Sequence, residues 1–243
     1  AASDVYKRQV MESKAYEYMD WPRIEAVVYG EEASPKDVMA PRLTTDGVLI
    51  QGFFPEADKT EVLVGSRKYE MEQEDEAGYF AAMIPGRKIP DYKYRVTKGE
   101  ETKEFADPYA FSGQITEAEE KAFCAGVYYH AYEKLGAHPM KINGVKGTSF
   151  AVWAPNAMRV SVVGDFNAWD GRCHAMHRMP MSGIFELFIP DVKAGDIYKY
   201  ELKLKGNRIE LKSDPYAACT EVPPANASVV TDTSTFQWED EIW

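Results

Sequence analysis

Tyr198-Lys-Tyr-Glu-Leu-Lys-Leu-Lys205 alternates without a break. Tyr198, Tyr200, Leu202 and Leu204 fall on one side of an extended chain, while Lys199, Glu201, Lys203 and Lys205 fall on the other. A period of two predicts a half-buried antiparallel strand. Phe185, Leu187 and Ile189 repeat the pattern, and so do Tyr92, Tyr94 and Val96. Turn signals separate the runs, among them Pro55, Gly65, Gly78 and Pro85-Gly86, then Pro155-Asn156, Gly183, Gly195 and Gly206-Asn207. Short strands, frequent turns and no long helix between them indicate β-sandwich architecture.

The same string of signals occurs twice. Gly47-Val-Leu-Ile-Gln-Gly-Phe-Phe-Pro55, a Val62-Leu-Val run, Tyr92-Lys-Tyr94 and Asp107-Pro-Tyr-Ala110 form the first copy. Gly147-Thr-Ser-Phe-Ala-Val-Trp-Ala-Pro155, Val160-Ser-Val-Val163, Tyr198-Lys-Tyr200 and Asp214-Pro-Tyr-Ala217 form the second. The opening glycine recurs after 100 residues but Tyr-Lys-Tyr after 106, so the second copy holds extra residues around Asp165-Phe-Asn-Ala-Trp-Asp-Gly171. A repeat fixes the domain count, and a difference between copies marks where one copy gained something.

Each half opens on a helical signal. Ser34-Pro35 with Asp37 reads as N-cap, first-turn proline and acidic first turn. Thr116 with Glu119 reads as a capping box, followed by Phe123, Val127, Ala131 and Leu135 at four-residue intervals, with Gly126 interrupting and Gly136 and Pro139 stopping the helix. The prediction is all-β: two tandem immunoglobulin-like β-sandwiches, each preceded by a short helix. The divisions expected are a tail over 1–22, a first sandwich over 23–113, a helical linker over 114–138, a second sandwich over 139–230 and a connector over 231–243.

Composition narrows the function. The chain has 243 residues, 45% of them hydrophobic, and a net charge of −11. Nucleic acid and anionic membranes demand a basic surface, so neither is an expected partner, whereas a neutral ligand is compatible. No apolar run approaches the roughly 20 residues of a membrane span, and no signal peptide is visible. Three scattered cysteines, Cys124, Cys173 and Cys219, fit a reducing compartment, and the cytoplasm is the expected location. Asn226-Ala-Ser228 matches a glycosylation sequon, which carries no weight without a secretory signal. The first ten residues show no periodicity, and Met11 is the expected natural start.

Catalytic inventory is missing. There is no Gly-rich phosphate loop, no Gly-x-Ser-x-Gly elbow and no His-Glu-x-x-His. His174 and His177 beside Cys173 could be drawn as a metal corner, but no second cluster completes a site, so neither metal nor cofactor is expected. Asp165 and Asp170 are simplest as turn residues bonding their own backbone rather than as an acid/base pair.

The loop over Asp165–Gly171 holds what chemistry remains. A tryptophan in a polar turn either packs on a neighbour or presents a flat face, and spacing leaves both open for Trp169. A pyranose ring stacks its axial C–H face on such a plane and offers hydroxyls to amide and ammonium groups. Trp169, Asn167 and Lys199 are therefore the candidate sugar-binding residues. Trp153 alternates within a strand and reads as core, with Ala151 and Trp153 facing a partner as the other possibility. Trp238 and Trp243, in the connector, are candidate docking residues for a further domain.

These stretches resemble a known family. Phe150-Ala-Val-Trp-Ala-Pro-Asn156, Val160-Ser-Val-Val-Gly-Asp-Phe-Asn-Ala-Trp-Asp-Gly-Arg172, Gly183-Ile-Phe-Glu-Leu-Phe-Ile-Pro190 and Lys212-Ser-Asp-Pro-Tyr-Ala217 resemble the family-48 carbohydrate-binding module of bacterial 1,4-α-glucan branching enzymes. Phe105-Ala-Asp-Pro-Tyr-Ala-Phe111 and Tyr132-Glu-Lys-Leu-Gly-Ala-His-Pro139 resemble the extra N-terminal domain and linker of its longer members. The resemblance implies a part in glycogen synthesis: an α-1,4-glucan is cut and rejoined as an α-1,6 branch by a glycoside hydrolase family 13 barrel, whose carboxylates sit at barrel strand ends. The chain stops at Trp243, where that barrel would begin, and is expected to be an accessory, non-catalytic region. Partners implied are α-1,4-glucan (glycogen, amylose) and the enzyme's own barrel; a free-standing glucan-binding adaptor is the alternative. Related modules carry a second stacking tryptophan where this chain reads Gly206-Asn-Arg-Ile209, so half of that platform is missing.

Overall fold

The computed structural model describes residues 14–234. The chain divides into two compact units, one up to Ala110 and one from Phe111.

The first unit opens with helix α1 (Trp21–Val28), which buries Ile24 and Val27, and helix α2 (Pro35–Met39), which buries Val38 and Met39. Ser34 sits at the N-cap of α2, yet its side chain makes no capping bond, and Pro35 fills the first turn where its missing N–H costs nothing. Eight strands follow: β1 (Arg42–Leu43), β2 (Val48–Phe53), β3 (Lys59–Val64), β4 (Arg67–Glu70), β5 (Glu72–Asp75), β6 (Tyr79–Ile84), β7 (Lys93–Lys98) and β8 (Glu101–Phe105). They form two antiparallel sheets, ordered β1-β2-β6-β5 and β4-β3-β7-β8. Val48, Ile50, Val62, Phe80, Ala82, Ile84 and Tyr94 fill the space between them.

The second unit begins with helix α3 (Glu117–Cys124). Its capping box is present, with the Glu119 amide donating to Thr116 Oγ1 and the Thr116 amide donating to the Glu119 carboxylate. The four-residue spacing beyond it does not continue the helix. Gly126 takes φ +73, a left-handed turn that ends α3 rather than splitting a longer helix, and Val127 is exposed. Nine strands follow: β9 (Gly136–Ile142), β10 (Val145–Trp153), β11 (Arg159–Gly164), β12 (His177–Arg178), β13 (Ile184–Pro190), β14 (Ile197–Leu204), β15 (Arg208–Lys212), β16 (Cys219–Thr220) and β17 (Ser228–Val229). One sheet is ordered β12-β13-β10-β9; the other is β11-β14-β17-β16, with β15 also on β14. Gly136 and Pro139 thus belong to an edge strand, where a missing N–H is tolerated.

Trp153 is not core. It is 54% exposed, while Phe150, Ala151 and Val152 before it are all buried. Strand β10 is covered on both faces, so alternation does not separate inside from outside. Its outer face carries the linker: Phe111 packs on Phe188 at 4.7 Å, and Ile115, Leu135, Ala151, Met179 and Ile184 form a second apolar cluster. Trp153 ends the strand at the margin of that cover, its ring in a T-shaped contact with Phe123 and its Nε1 donating to Ser182 O at 2.9 Å.

The repeated strings are a repeated brace. In the first unit Tyr92 Oη donates to Asp107 Oδ2 at 2.5 Å, and Tyr94 Oη lies 3.1 Å from the same oxygen and 2.7 Å from Gln51 O on the facing sheet. In the second, Tyr198 Oη donates to Asp214 Oδ2 at 2.6 Å, and Tyr200 Oη lies 3.2 Å from it and 3.4 Å from Ala151 O. In each copy the other carboxylate oxygen accepts the amide two residues on, from Tyr109 or Tyr216. Tyr-Lys-Tyr and Asp-Pro-Tyr-Ala recur together because they are the two halves of one buried contact.

Candidate functional site

The extra segment of the second copy leaves β11 at Gly164 as a single 3-10 turn, Asp165–Asn167. Ala168 and Trp169 then take φ +54 and +60 in succession. Left-handed backbone at two non-glycine residues costs about 1 kcal/mol or more each and persists only where other contacts impose it. Here the Trp169 amide donates to Gly164 O at 2.9 Å, and Trp169 Nε1 donates to Asp165 Oδ1 at 2.8 Å. The indole, half-buried, is therefore held at its edge by a carboxylate four residues back.

Asn167 braces the loop from within. Its Oδ1 accepts the Gly164 amide at 3.0 Å, and its Nδ2 donates to Val162 O at 2.8 Å and faces His174 Nδ1 at 2.9 Å. Asp170 takes the Arg172 backbone amide and guanidinium; burial works against its charge, but those bonds hold its carboxyl below the usual range. Asp165 and Asp170 are thus turn residues, each bonded within the loop. The returning chain pairs with β11: Val162 N donates to His174 O, Met176 N to Val160 O, and Ala175 bridges Ser161.

Beneath the loop lies an ion pair. Arg159, 3% exposed, donates from Nη2 to Glu201 Oε1 at 2.6 Å and from Nη1 to Ser161 Oγ and Gly171 O. A Cβ on Gly171 would lie 2.0 Å from Glu201 Oε1, so a larger residue here would have to displace the Glu201 carboxylate from its place beside Arg159. Sequence reading missed Arg159, Glu201, Asp165 and His174 as parts of the site. The one available signal was an arginine opening a strand otherwise fully apolar or small, since a buried charge requires a partner.

Lys199 stands on β14 opposite Val163, and its Nζ donates to Asn226 Oδ1. Trp169 and Asn167 share the loop, whereas Lys199 comes from the strand beside its root. Ile209 and Leu211 of β15, both exposed, pair with Lys203 and Glu201 and lie on that same outer face. Trp238 and Trp243 fall outside the described residues. Among the described residues no three His, Cys, Asp or Glu side chains converge as metal ligands, no helix is long and apolar enough to cross a membrane, and none of the three cysteines forms a disulfide.

His174 makes the loop acid-sensitive. Desolvation of its ring, packed edge-on to Phe166, lowers its pKa to about 4 from 6.5. The folded state then binds fewer protons than the unfolded state between those values. Its stabilising contribution is full above about pH 6.5 and is lost as pH falls through 4, a swing of at most about 3 kcal/mol. Urea unfolding of the parent and of His174→Asn at pH 7 and pH 4.5 checks this: the parent should lose more stability than the variant, and parallel losses would refute it.

Both units match known families. The alpha-1,4-glucan branching enzyme GlgB N-terminal domain matches residues 20–109, and carbohydrate-binding module 48 (isoamylase N-terminal domain) matches residues 134–217. The 1,4-alpha-glucan branching enzyme GlgB of Synechococcus elongatus is 38% identical over 228 residues, covering 91% of this chain and 29% of that enzyme. That of Cereibacter sphaeroides is 41% identical over 235 residues, covering 95% of this chain and 32% of the enzyme. Among solved structures, the pullulanase of Anoxybacillus sp. LM18-11 complexed with maltotetraose covers 82% of this chain and 27% of its own at 20% identity and a TM-score of 0.36. The chain thus spans about a third of the length of the curated relatives it matches. With both modules present in order, the chain belongs to the GlgB branching-enzyme family and corresponds to its N-terminal region.

Proposed function

We propose that this chain is the non-catalytic accessory region of a cytoplasmic glycogen branching enzyme, in which the second sandwich binds α-1,4-glucan and both sandwiches support a catalytic barrel that forms α-1,6 branches. The observation that carries the reading is the Trp169 mount, present in the copy that matches module 48 and absent from the other. An indole whose edge is fixed by Asp165 offers its ring for stacking without first ordering a side chain, which lowers the cost of binding. Lys199, with Asn226, supplies polar groups for sugar hydroxyls at the loop root. Asn167 acts by holding the loop, since its amide is already engaged by Val162, Gly164 and His174. Residues 114–138 serve as linker and 231–243 as connector, with Trp238 and Trp243 docking on the barrel. A net charge of −11 favours this neutral polymer over nucleic acid.

Affinity electrophoresis in gels containing glycogen tests the reading. The chain should be retarded, and Trp169→Ala should lose most of the retardation, since one stacked ring contributes about 1–3 kcal/mol, by analogy with bases on aromatic side chains. Equal mobility of parent and variant would exclude Trp169 as the platform. The chain alone should leave the iodine stain of amylose unchanged; a shift would overturn the non-catalytic assignment.

A further inference from the structure

The two copies provide an internal control for what the loop required. By the displacement of 100 residues before the loop and 106 after it, Arg159 corresponds to Lys59 and Glu201 to Arg95. The register agrees: Lys59 pairs Thr97 as Arg159 pairs Lys203, and Glu61 pairs Arg95 as Ser161 pairs Glu201. In the first copy these positions carry a partly exposed network, with Arg95 reaching Glu61 and Glu104, and Lys59 reaching Glu61 and Glu70. The Lys59 side chain there is 48% exposed. In the second copy the same face holds the Arg159–Glu201 pair under the loop, its side chains 3% and 15% exposed.

We infer that Arg159 and Glu201 are positioning residues: their buried ion pair fixes the loop end at Gly171 and thereby the orientation of the Trp169 ring toward a glucan. This inference rests on the glucan-binding reading and adds to it the part that sets the platform's geometry. A buried pair is a poor source of stability, because desolvation offsets much of the attraction, but it can specify one arrangement over others. The guanidinium suits the task. It presents several donors in a fixed plane and so serves Glu201, Ser161 and Gly171 together, which the single ammonium of a lysine cannot do in that geometry. Gly171 meets the pair directly: its carbonyl oxygen accepts from Arg159 Nη1, and its Cα lies close against the Glu201 carboxylate. From there Asp170 and Asn167 carry the constraint back to Trp169, the Asp170 amide donating to Asn167 O.

The test uses Arg159→Lys and the double variant Arg159→Met/Glu201→Met, which removes both members of the pair together. Three readouts are taken on the whole chain: Tm, hydrogen exchange of the Trp169 indole Nε1–H by 1H–15N spectroscopy (its signal identified by loss in Trp169→Phe), and retardation by glycogen. The expected result is a Tm close to the parent's, indole exchange faster by about tenfold as the ring detaches from Asp165, and retardation reduced to the level of Trp169→Ala. Parent-like exchange and retardation in both variants would overturn the inference. Should the double variant fail to fold, Arg159→Lys, which keeps the charge facing Glu201, carries the same comparison. If the parent itself migrates without retardation, the glucan reading fails, while indole exchange still decides whether Arg159 and Glu201 hold the ring.

Discussion

Asp214→Ala is expected to destabilise the second sandwich by about 3–4 kcal/mol, a large fraction of what a domain of this size possesses. The substitution strips one acceptor from the Tyr198 and Tyr200 hydroxyls and another from the Tyr216 amide. Both phenols are buried, and burial beside the Asp214 carboxylate pushes them well above their ordinary range, so neither can escape the loss by ionising. Each unsatisfied buried donor costs about 1–3 kcal/mol, and water has poor access to this one. Urea unfolding of Asp214→Ala, of Tyr198→Phe/Tyr200→Phe and of the triple variant forms a cycle. The triple variant should be less destabilised than the two separate losses combined, because the phenylalanines leave no hydroxyl to orphan. A loss below about 1 kcal/mol for Asp214→Ala would show that the brace is not a principal contact of the fold.

The equivalent Asp107 makes a pH prediction of opposite sign to that of His174. Burial raises its pKa to about 6, with the Tyr92, Tyr109 and Tyr94 bonds only partly offsetting the cost. The folded first unit therefore holds a proton that the unfolded chain releases near the usual 3.8. Its contribution is present below about pH 3.8 and is lost as pH rises through 6. Between pH 4 and 6 this residue favours the acid side while His174 favours the neutral side. Asp107→Asn should flatten the first response in urea unfolding without altering the second; an unchanged acid response would refute the assignment.

What the sequence disclosed and what it hid follow from the same geometry. Two sandwiches were legible because Tyr92-Lys-Tyr94 and Tyr198-Lys-Tyr200 alternate, and alternation survives wherever one face meets water. It failed at Trp153, since a strand covered by core on one face and by the linker on the other loses its in-out signal. It failed again at Lys203, which is buried on the supposedly wet face of β14, flanked in the sheet by Arg159 of β11 and Ile209 of β15. Helix α1 was missed because eight residues with Ile24 and Val27 as the buried pair give too little periodicity. The loop itself was legible as a length difference between copies. Its support was not: Asp165 read as a turn residue, Asn167 as a sugar-binding candidate and His174 as part of an incomplete metal corner, and only the fold sets Arg159 and Glu201 under Gly171.

Glu120→Ala is the second substitution expected to have a large effect, because it removes the clasp that holds the linker on its sheet. The Glu120 carboxylate oxygen Oε1 accepts three bonds of 2.9 Å, from the Met181 amide, the Ser182 amide and Ser182 Oγ. Ser182 O in turn receives Trp153 Nε1, so the helix and the end of β10 are linked through Ser182 in the turn before β13. A second buried carboxylate, Glu186, accepts the Gln114 and Ile115 amides on its Oε2 and holds the linker start. With Glu120 gone, two backbone amides and a hydroxyl lose their partner, at a cost of about 2–4 kcal/mol. The apolar cluster of Ile115, Leu135 and Met179 then has to hold the segment alone. Trypsin should cut at Lys121 and Lys134 faster in Glu120→Ala than in the parent, before global unfolding, with Glu120→Gln intermediate because its amide oxygen still accepts. Cleavage at the parent's rate would mean that apolar contact, not the carboxylate, keeps the linker in place. Faster cleavage would mean instead that the second unit extends N-terminal to residue 134, where the module-48 match begins, with the linker as a built part of it.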